Sequence, residues 1–264
     1  MTNAGKTILV TGATGGIGKV VCQYLADNDY SLILAGRDIA KMEAACASLP
    51  SSNQGTFSFI RVDMSDEESV KSFGVQLRER NIALDGVVLM PPQLAPTKDC
   101  LPPNETWKQA FQTSFIGPLS LLKLAIESMR PDPSRAKRSK VVIISGVSSV
   151  QVLEHYATSN VLRCAWLAEA KTLAFALGER GIHVNTLSLG GTLTDKYRSG
   201  IEKRASDAGV SFENRLAEET SNVSLKKYGT PREVATVVEA LLGPMSDHMT
   251  GQNLVHDGGF TKSY

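Results

Sequence analysis

The apolar run Lys6-Thr7-Ile8-Leu9-Val10 leads straight into a glycine-rich turn, Thr11-Gly12-Ala13-Thr14-Gly15-Gly16-Ile17-Gly18, and then into an amphipathic stretch with Val20, Val21, Tyr24 and Leu25 on one face. Strand, tight turn and helix in that order form the opening unit of an α/β layer structure. A helix that starts at such a turn points open backbone N–H groups and the positive end of its dipole at whatever lies over it, which suits a pyrophosphate. Glycines without Cβ let the backbone come close to both ligand and strand. A lone glycine triplet also occurs in ordinary β-α turns. Here it opens a repeating β-α pattern and reads as a dinucleotide-binding turn.

That pattern runs from end to end. Short apolar segments predict strands at 7–10, 31–35, 56–62, 86–89, 140–145, 183–187 and 253–256, and most of them are apolar on both faces, as strands of a parallel sheet covered on two sides are. Helical periodicity predicts helices at 17–28, 39–48, 67–79, 104–129, 156–179 and 231–242. Asp38 reads as the N-cap of the second helix, and Thr230-Pro231-Arg232-Glu233 as a cap with proline at the first helical position. The expected fold is a doubly wound parallel sheet of the Rossmann-like kind with about seven strands, a single domain over residues 1–264, and a ligand crevice at the carboxyl ends of the strands. Residues 190–229 break the rhythm: they are long for a β-α connection, charged, and helical at 201–208 and 213–219. An insertion of that kind reads as a substrate loop or lid, with a solvated excursion as the alternative.

Composition removes other classes. A net charge of +1 gives no reason to expect nucleic acid or an anionic membrane as partner. The basic run Arg135-Ala136-Lys137-Arg138-Ser139-Lys140 follows Pro131 and Pro133 and reads as a solvated loop. No apolar run reaches the roughly 18 residues of a membrane span, and the N-terminus lacks the build of a secretory signal. Cys22, Cys46, Cys100 and Cys164 are widely separated, which reads as reduced thiols rather than metal ligands or a disulfide frame. A cytoplasmic protein without a metal site is expected.

Further landmarks follow in order: Asp63 after the third strand, Val184-Asn185, Ser188-Leu189-Gly190, Thr250-Gly251-Gln252 and Asp257-Gly258-Gly259. Together with the first turn they resemble the short-chain dehydrogenase/reductase family over nearly the whole chain. The turn matches that family's T-G-x-x-x-G-x-G in full, and Leu189 stands where its S-P-G has proline. The resemblance implies a nicotinamide coenzyme held by Gly12, Thr14, Gly15, Gly16, Ile17 and Gly18 of the turn. Arg37, Asp63, Met64, Met90, Pro91, Arg163, Gly190, Thr192 and Thr194 complete the set, with Asp63 at the adenine ring.

The family's catalytic tetrad is altered at every position. Its asparagine falls on Ser114, its serine on Gly146, its tyrosine on Ser159 and its lysine on Arg163, and Leu89-Met90-Pro91-Pro92 replaces N-N-A-G. Bacterial enoyl-acyl carrier reductases, a divergent branch, separate tyrosine and lysine by six residues, and Tyr156 and Arg163 are similar to that pair in spacing, with Ser145 eleven residues earlier. Tyr156-Ala157-Thr158-Ser159-Asn160 also resembles the Y-x-x-M-N motif of a small atypical subgroup. Seven residues make nearly two helical turns, so Tyr156 and Arg163 share one helix face.

Carbonyl reduction needs a hydride and a proton. Tyr156 is the expected proton donor, and Arg163 the fixed charge that favours its phenolate. Asn160 is expected to hold water or the ribose hydroxyls, and Ser145, Ser148 or Ser149 to orient the substrate oxygen. Tyr156 also fits a helix-start aromatic packed on the preceding loop. His155 is expected to be a bystander, and Met90 to Pro92 a rigid floor. Gly36 stands where an acidic residue would accept ribose hydroxyls, and Arg37 can fork onto a 2′-phosphate, so NADP(H) is expected over NAD(H), unless Arg37 pairs with Asp38 or solvent. The leading expectation is an NADP(H)-dependent oxidoreductase acting on a small carbonyl. The alternatives are a catalytically degenerate NADP(H)-binding sensor or scaffold, and a reductase of an activated C=C bond. The stripe Phe111, Phe115, Leu119, Leu122, Ile126 and the run 164–177 offer surface for a homodimer or homotetramer, or else form core.

Overall fold

A computed structural model describes residues 3, 5–47, 56–135 and 137–263. Seven apolar segments pair in parallel: β1 (Thr7–Thr11), β2 (Ser31–Gly36), β3 (Phe57–Arg61), β4 (Gly86–Leu89), β5 (Ser139–Gly146), β6 (Ile182–Leu189) and β7 (Asn253–His256). Their order across the sheet is β3-β2-β1-β4-β5-β6-β7. The order reverses between β1 and β4, and that reversal opens the crevice at their carboxyl ends. Successive side chains point to opposite faces, so Leu9 enters one core cluster while Ile8 and Val10 enter the other.

Three helices cover each face. Helices α3 (Glu67–Glu79), α5 (Gly117–Glu127) and α6 (Ala157–Leu177) pack Phe73, Leu121, Leu122 and Trp166 on one side; α1 (Gly16–Asp27), α2 (Ile39–Cys46) and α9 (Pro231–Leu242) pack Val21, Leu25, Met42 and Val238 on the other. Local caps set the starts. Asp38 accepts from the Lys41 N–H, Asp66 accepts from the N–H groups of Glu68 and Ser69, and Thr230 and Glu233 form a reciprocal capping box. Ser48, the expected end of the second helix, lies outside the described residues.

Two expectations are corrected. The helix predicted over 104–129 is two helices, α4 (Asn104–Phe111) and α5, joined by a wide π turn at Gln112–Ile116. The wide turn brings Gly117 so close to the loop after β3 that a Cβ there would lie 1.6 Å from the Met64 carbonyl oxygen. The basic run is not one solvated patch. Lys137 pairs with Asp85 at 2.9 Å, and Lys140 is buried in β5 with its Nζ 2.8 Å from Asp247 and 3.2 Å from His183. Ala136 of that run lies outside the described residues.

The insertion closes on a narrow neck. Leu193 N–H donates to the Gly229 carbonyl at 2.8 Å, and Gly229 N–H to the Gly191 carbonyl at 2.9 Å. Between these points α7 (Asp195–Ala208) and α8 (Phe212–Glu219) are tied by Arg204, which donates twice to Glu219 at 2.8 and 3.0 Å. The stripe on α4 and α5 is largely core: Leu122 and Ile126 are buried, with Phe115 and Leu119 packed against them.

Candidate active site

The first turn carries the geometry its glycines imply. Gly12 adopts φ +67°, a left-handed conformation that glycine enters without strain. Gly12, Thr14, Gly15 and Gly16 are open to solvent, and α1 starts from Gly15 with no side-chain cap, so its first-turn N–H groups remain on offer. Gly18 has another task. It is buried, and a Cβ there would lie 2.1 Å from the Gly12 carbonyl oxygen, so its lack of a side chain lets helix close against turn.

A second helix end meets the first. Thr194 caps α7, and a Cβ on Gly16 would stand 2.8 Å from the Thr194 Cβ. Two positive helix ends thus converge over one exposed backbone segment, and that arrangement fits a pyrophosphate.

On the adenine side, Gly36 ends β2 with no acidic group in its place, and Arg37 is exposed beside it. Asp38 is engaged with Lys41 and caps α2, so it is not Arg37's partner. Arg61, which the sequence reading passed over, donates from Nε to the Arg37 carbonyl at 3.3 Å. The Asp63 carboxyl lies below its usual range because Ser65 donates to it through both hydroxyl and N–H, with Arg37 and Arg61 nearby. Met64 turns its side chain into the core.

Beyond the strand ends lies a cavity of about 360 Å³. Ile17, Met90 and Pro91 form one side of it, and Gly190, Thr192, Thr194 and Tyr197 another. Thr11 Oγ1 accepts the Met90 N–H at 2.8 Å and fixes the end of β4 against β1. Tyr156, at the N-cap of α6, and Arg163, within it, both line this cavity, together with Ser145, Ser148 and Ser159. Arg163 is half-buried and donates from Nη1 to the Ile144 carbonyl at 3.3 Å. Burial pushes its guanidinium down to about 10, and no carboxylate stands among the lining residues.

The serines divide by role. Ser145 is among the lining residues, and its Oγ is buried with no hydrogen-bond partner among the described residues. Ser148 and Ser159 share a hydrogen bond at 3.2 Å. Ser149 is taken up by Ser188 at 2.9 Å and does not line the cavity. Ser114 donates to the Pro92 carbonyl at 3.0 Å and ties the π turn to the loop after β4.

The side-chain amide of Asn160 accepts from Leu153 N–H at 3.2 Å and donates to the Leu153 carbonyl at 3.0 Å, which occupies it in holding the loop before α6. It is not among the residues that line this cavity. His155 is exposed and does not line this cavity. Tyr197 was not foreseen: it lines the cavity from α7 and stacks edge-on against Tyr228, centroids 5.3 Å apart. Thr97 was not foreseen either. It bonds the backbone on both sides of Tyr156, and no local pattern in the sequence marks it.

A family model described as enoyl-(acyl carrier protein) reductase matches residues 12–261. The chain is 23% identical over 259 residues to the NADPH-dependent reductase BacG of Bacillus subtilis, covering 98% of each chain. Among solved structures it is similar to the L-sorbose reductase of Gluconobacter frateurii in complex with NADPH and L-sorbose, at 21% identity, full coverage of both chains and a TM-score of 0.90. It is also similar to a short-chain oxidoreductase of Pseudomonas aeruginosa PAO1 described as containing an atypical catalytic centre, at 19% identity, full coverage of both and a TM-score of 0.87.

Proposed function

The chain belongs to the short-chain dehydrogenase/reductase family of NAD(P)H-dependent oxidoreductases, and from that premise we propose that it is an NADP(H)-dependent reductase of a small carbonyl compound, with Tyr156 as proton donor. One observation carries the reading: a phenol at the N-cap of α6 and a guanidinium two turns into that helix line one cavity, with no carboxylate among its lining residues, beside the turn expected to hold the coenzyme. When bound, NADPH supplies the hydride. Tyr156 supplies the proton to the oxygen that gains charge. Arg163 carries a positive charge at neutral pH on the wall of the same cavity, where it can stabilise negative charge that develops during transfer. Since arginine hardly releases its own proton at neutral pH, its part is electrostatic and not a proton relay. Ser145 offers the hydroxyl that orients the substrate oxygen.

The coenzyme preference rests on the adenine side. Gly36 leaves room where an acid would repel a 2′-phosphate, and Arg37 with Arg61 supplies positive charge for it. The turn residues Gly12, Thr14, Gly15, Gly16 and Ile17, with Thr192 and Thr194 across from them, would hold the pyrophosphate and its neighbours. Asp63 would meet the adenine ring, and α7 and α8 would close over the substrate. Exposed apolar side chains on the outer helices, Ile116, Val161 and Phe175, support assembly as a homodimer or homotetramer.

Reduction of an activated C=C bond is the second reading, favoured by the six-residue gap between Tyr156 and Arg163 and by the description of the matching family model. NADPH oxidation across ketones, aldehydes, imines and enoyl thioesters separates the readings. Turnover of carbonyls that falls about 100-fold or more in Tyr156→Phe, with NADPH affinity unchanged, is the expected result. Stoichiometric NADPH binding with no oxidation across the panel points to a sensor or scaffold instead.

A further inference from the structure

Helix α6 lacks its own cap. The N-cap position belongs to Tyr156, whose side chain makes no hydrogen bond to the first turn. Ser, Thr, Asp or Asn normally stands there, because a short side-chain oxygen can satisfy a first-turn N–H. Here the acceptor comes from 60 residues away: Ala157 N–H donates to Thr97 Oγ1 at 3.0 Å. Thr97 also donates its own N–H to the His155 carbonyl at 2.6 Å. One residue of the loop between β4 and α4 therefore grips the backbone on either side of Tyr156.

Two further observations show that this junction is held rather than relaxed. His155 adopts φ +59°, a conformation costly for a residue with Cβ and kept only where the surroundings enforce it. Asn160 clamps Leu153 through both of its amide groups, so the loop before Tyr156 is fastened from the helix side as well. The loop that carries Thr97 also supplies Pro91, Gln93 and Leu94 to the cavity wall.

We propose that Thr97 is a positioning residue for Tyr156: it caps α6 in place of residue 156, which frees that position for a phenol, and it holds the phenol toward the cavity. The consequence for turnover rests on the reading of Tyr156 as proton donor; the placement of the ring rests on the hydrogen bonds alone.

The test places 3-fluorotyrosine at position 156 of the full chain and follows its fluorine resonance, with and without NADPH, in the parent, Thr97→Val and Thr97→Ser proteins. In Thr97→Val the resonance moves toward that of free 3-fluorotyrosine, and its solvent isotope shift grows. Thr97→Ser, which keeps the hydroxyl, retains the parental resonance. With natural tyrosine and a carbonyl from the active panel, kcat falls about tenfold in Thr97→Val while KM for NADPH holds. A resonance unmoved in Thr97→Val overturns the proposal, since loss of a cap alone lowers the melting temperature without turning the ring. Should Thr97→Val not fold, adding Tyr156→Asp gives the helix its own cap and restores folding; failure to restore it also overturns the proposal. Unimpaired turnover in Tyr156→Phe removes Tyr156 from the chemistry but leaves the fluorine result standing, so the two failures are distinct.

Discussion

Arg163 faces Gly146: its Nε stands 4.0 Å from where a Cβ on that glycine would begin, and its Nη1 reaches the carbonyl of Ile144 two residues earlier on β5. A cation is thus held half-buried against a strand end with no carboxylate among the residues that line its cavity. Burial lowers its pKa in the folded chain to about 10. Between that value and the ordinary arginine value the unfolded chain binds more protons, so stability rises with pH through that window. Below it, the full cost of burying the charge is present. Arg163→Met therefore raises stability at neutral pH by about 1 kcal/mol, or about 2 °C in Tm. The same variant loses about 100-fold in kcat. Thermal melts and NADPH oxidation rates measured on one preparation check both halves.

Two glycines of the site respond in opposite directions. Gly146 is extended, at φ −140° and ψ 159°, and the nearest atom to an added Cβ is 3.8 Å away. Gly146→Ala fits without strain and stabilises by about 0.4–1 kcal/mol through the unfolded state. An added Cβ at Gly18 meets the Gly12 carbonyl oxygen at 2.1 Å. Gly18→Ala costs about 3 kcal/mol or more and removes the stabilisation that NADPH gives the parent protein. Melting curves with and without NADPH separate the two.

On the proposed preference for NADP(H), Gly36→Asp reverses it. The atoms nearest an added Cβ there all belong to the Met42 side chain, with the sulfur at 3.2 Å, so a shift of that thioether accommodates the carboxylate. Set beside the 2′-phosphate it weakens NADPH by at least about tenfold, or about 1.4 kcal/mol, while NADH binding holds or improves. Arg37→Ala weakens NADPH in the same sense and leaves NADH unchanged. Fluorescence titrations with both coenzymes decide it.

The order of elements was legible because its signals are local. Strands 86–89 and 253–256 and helices 67–79 and 231–242 fall on their expected bounds, since Asp66 and Thr230 mark helix starts within a few residues of the bonds they make. The break at Gln112–Ile116 was not legible: it answers to the Met64 carbonyl, far away in sequence, which crowds Gly117. The site divides in the same way. Tyr156 and Arg163 could be paired by helical spacing alone, and both line the cavity. The bonds of Asn160 to Leu153 were not legible, because an amide on a helix gives no sign of which loop will engage it. Thr97 escaped notice because a cap borrowed across 60 residues leaves no pattern at either end.

The account turns on where the Tyr156 hydroxyl lies relative to the reducing end of the coenzyme. A crystal structure of the NADPH complex measures this directly, as the distance from that hydroxyl to nicotinamide C4. With one substrate oxygen between them the expected value is about 4–6 Å, with the Arg163 guanidinium on the same side. A phenol that points out of the cavity, with C4 facing Ser145 and Ser159 alone, contradicts the assignment of Tyr156 as proton donor.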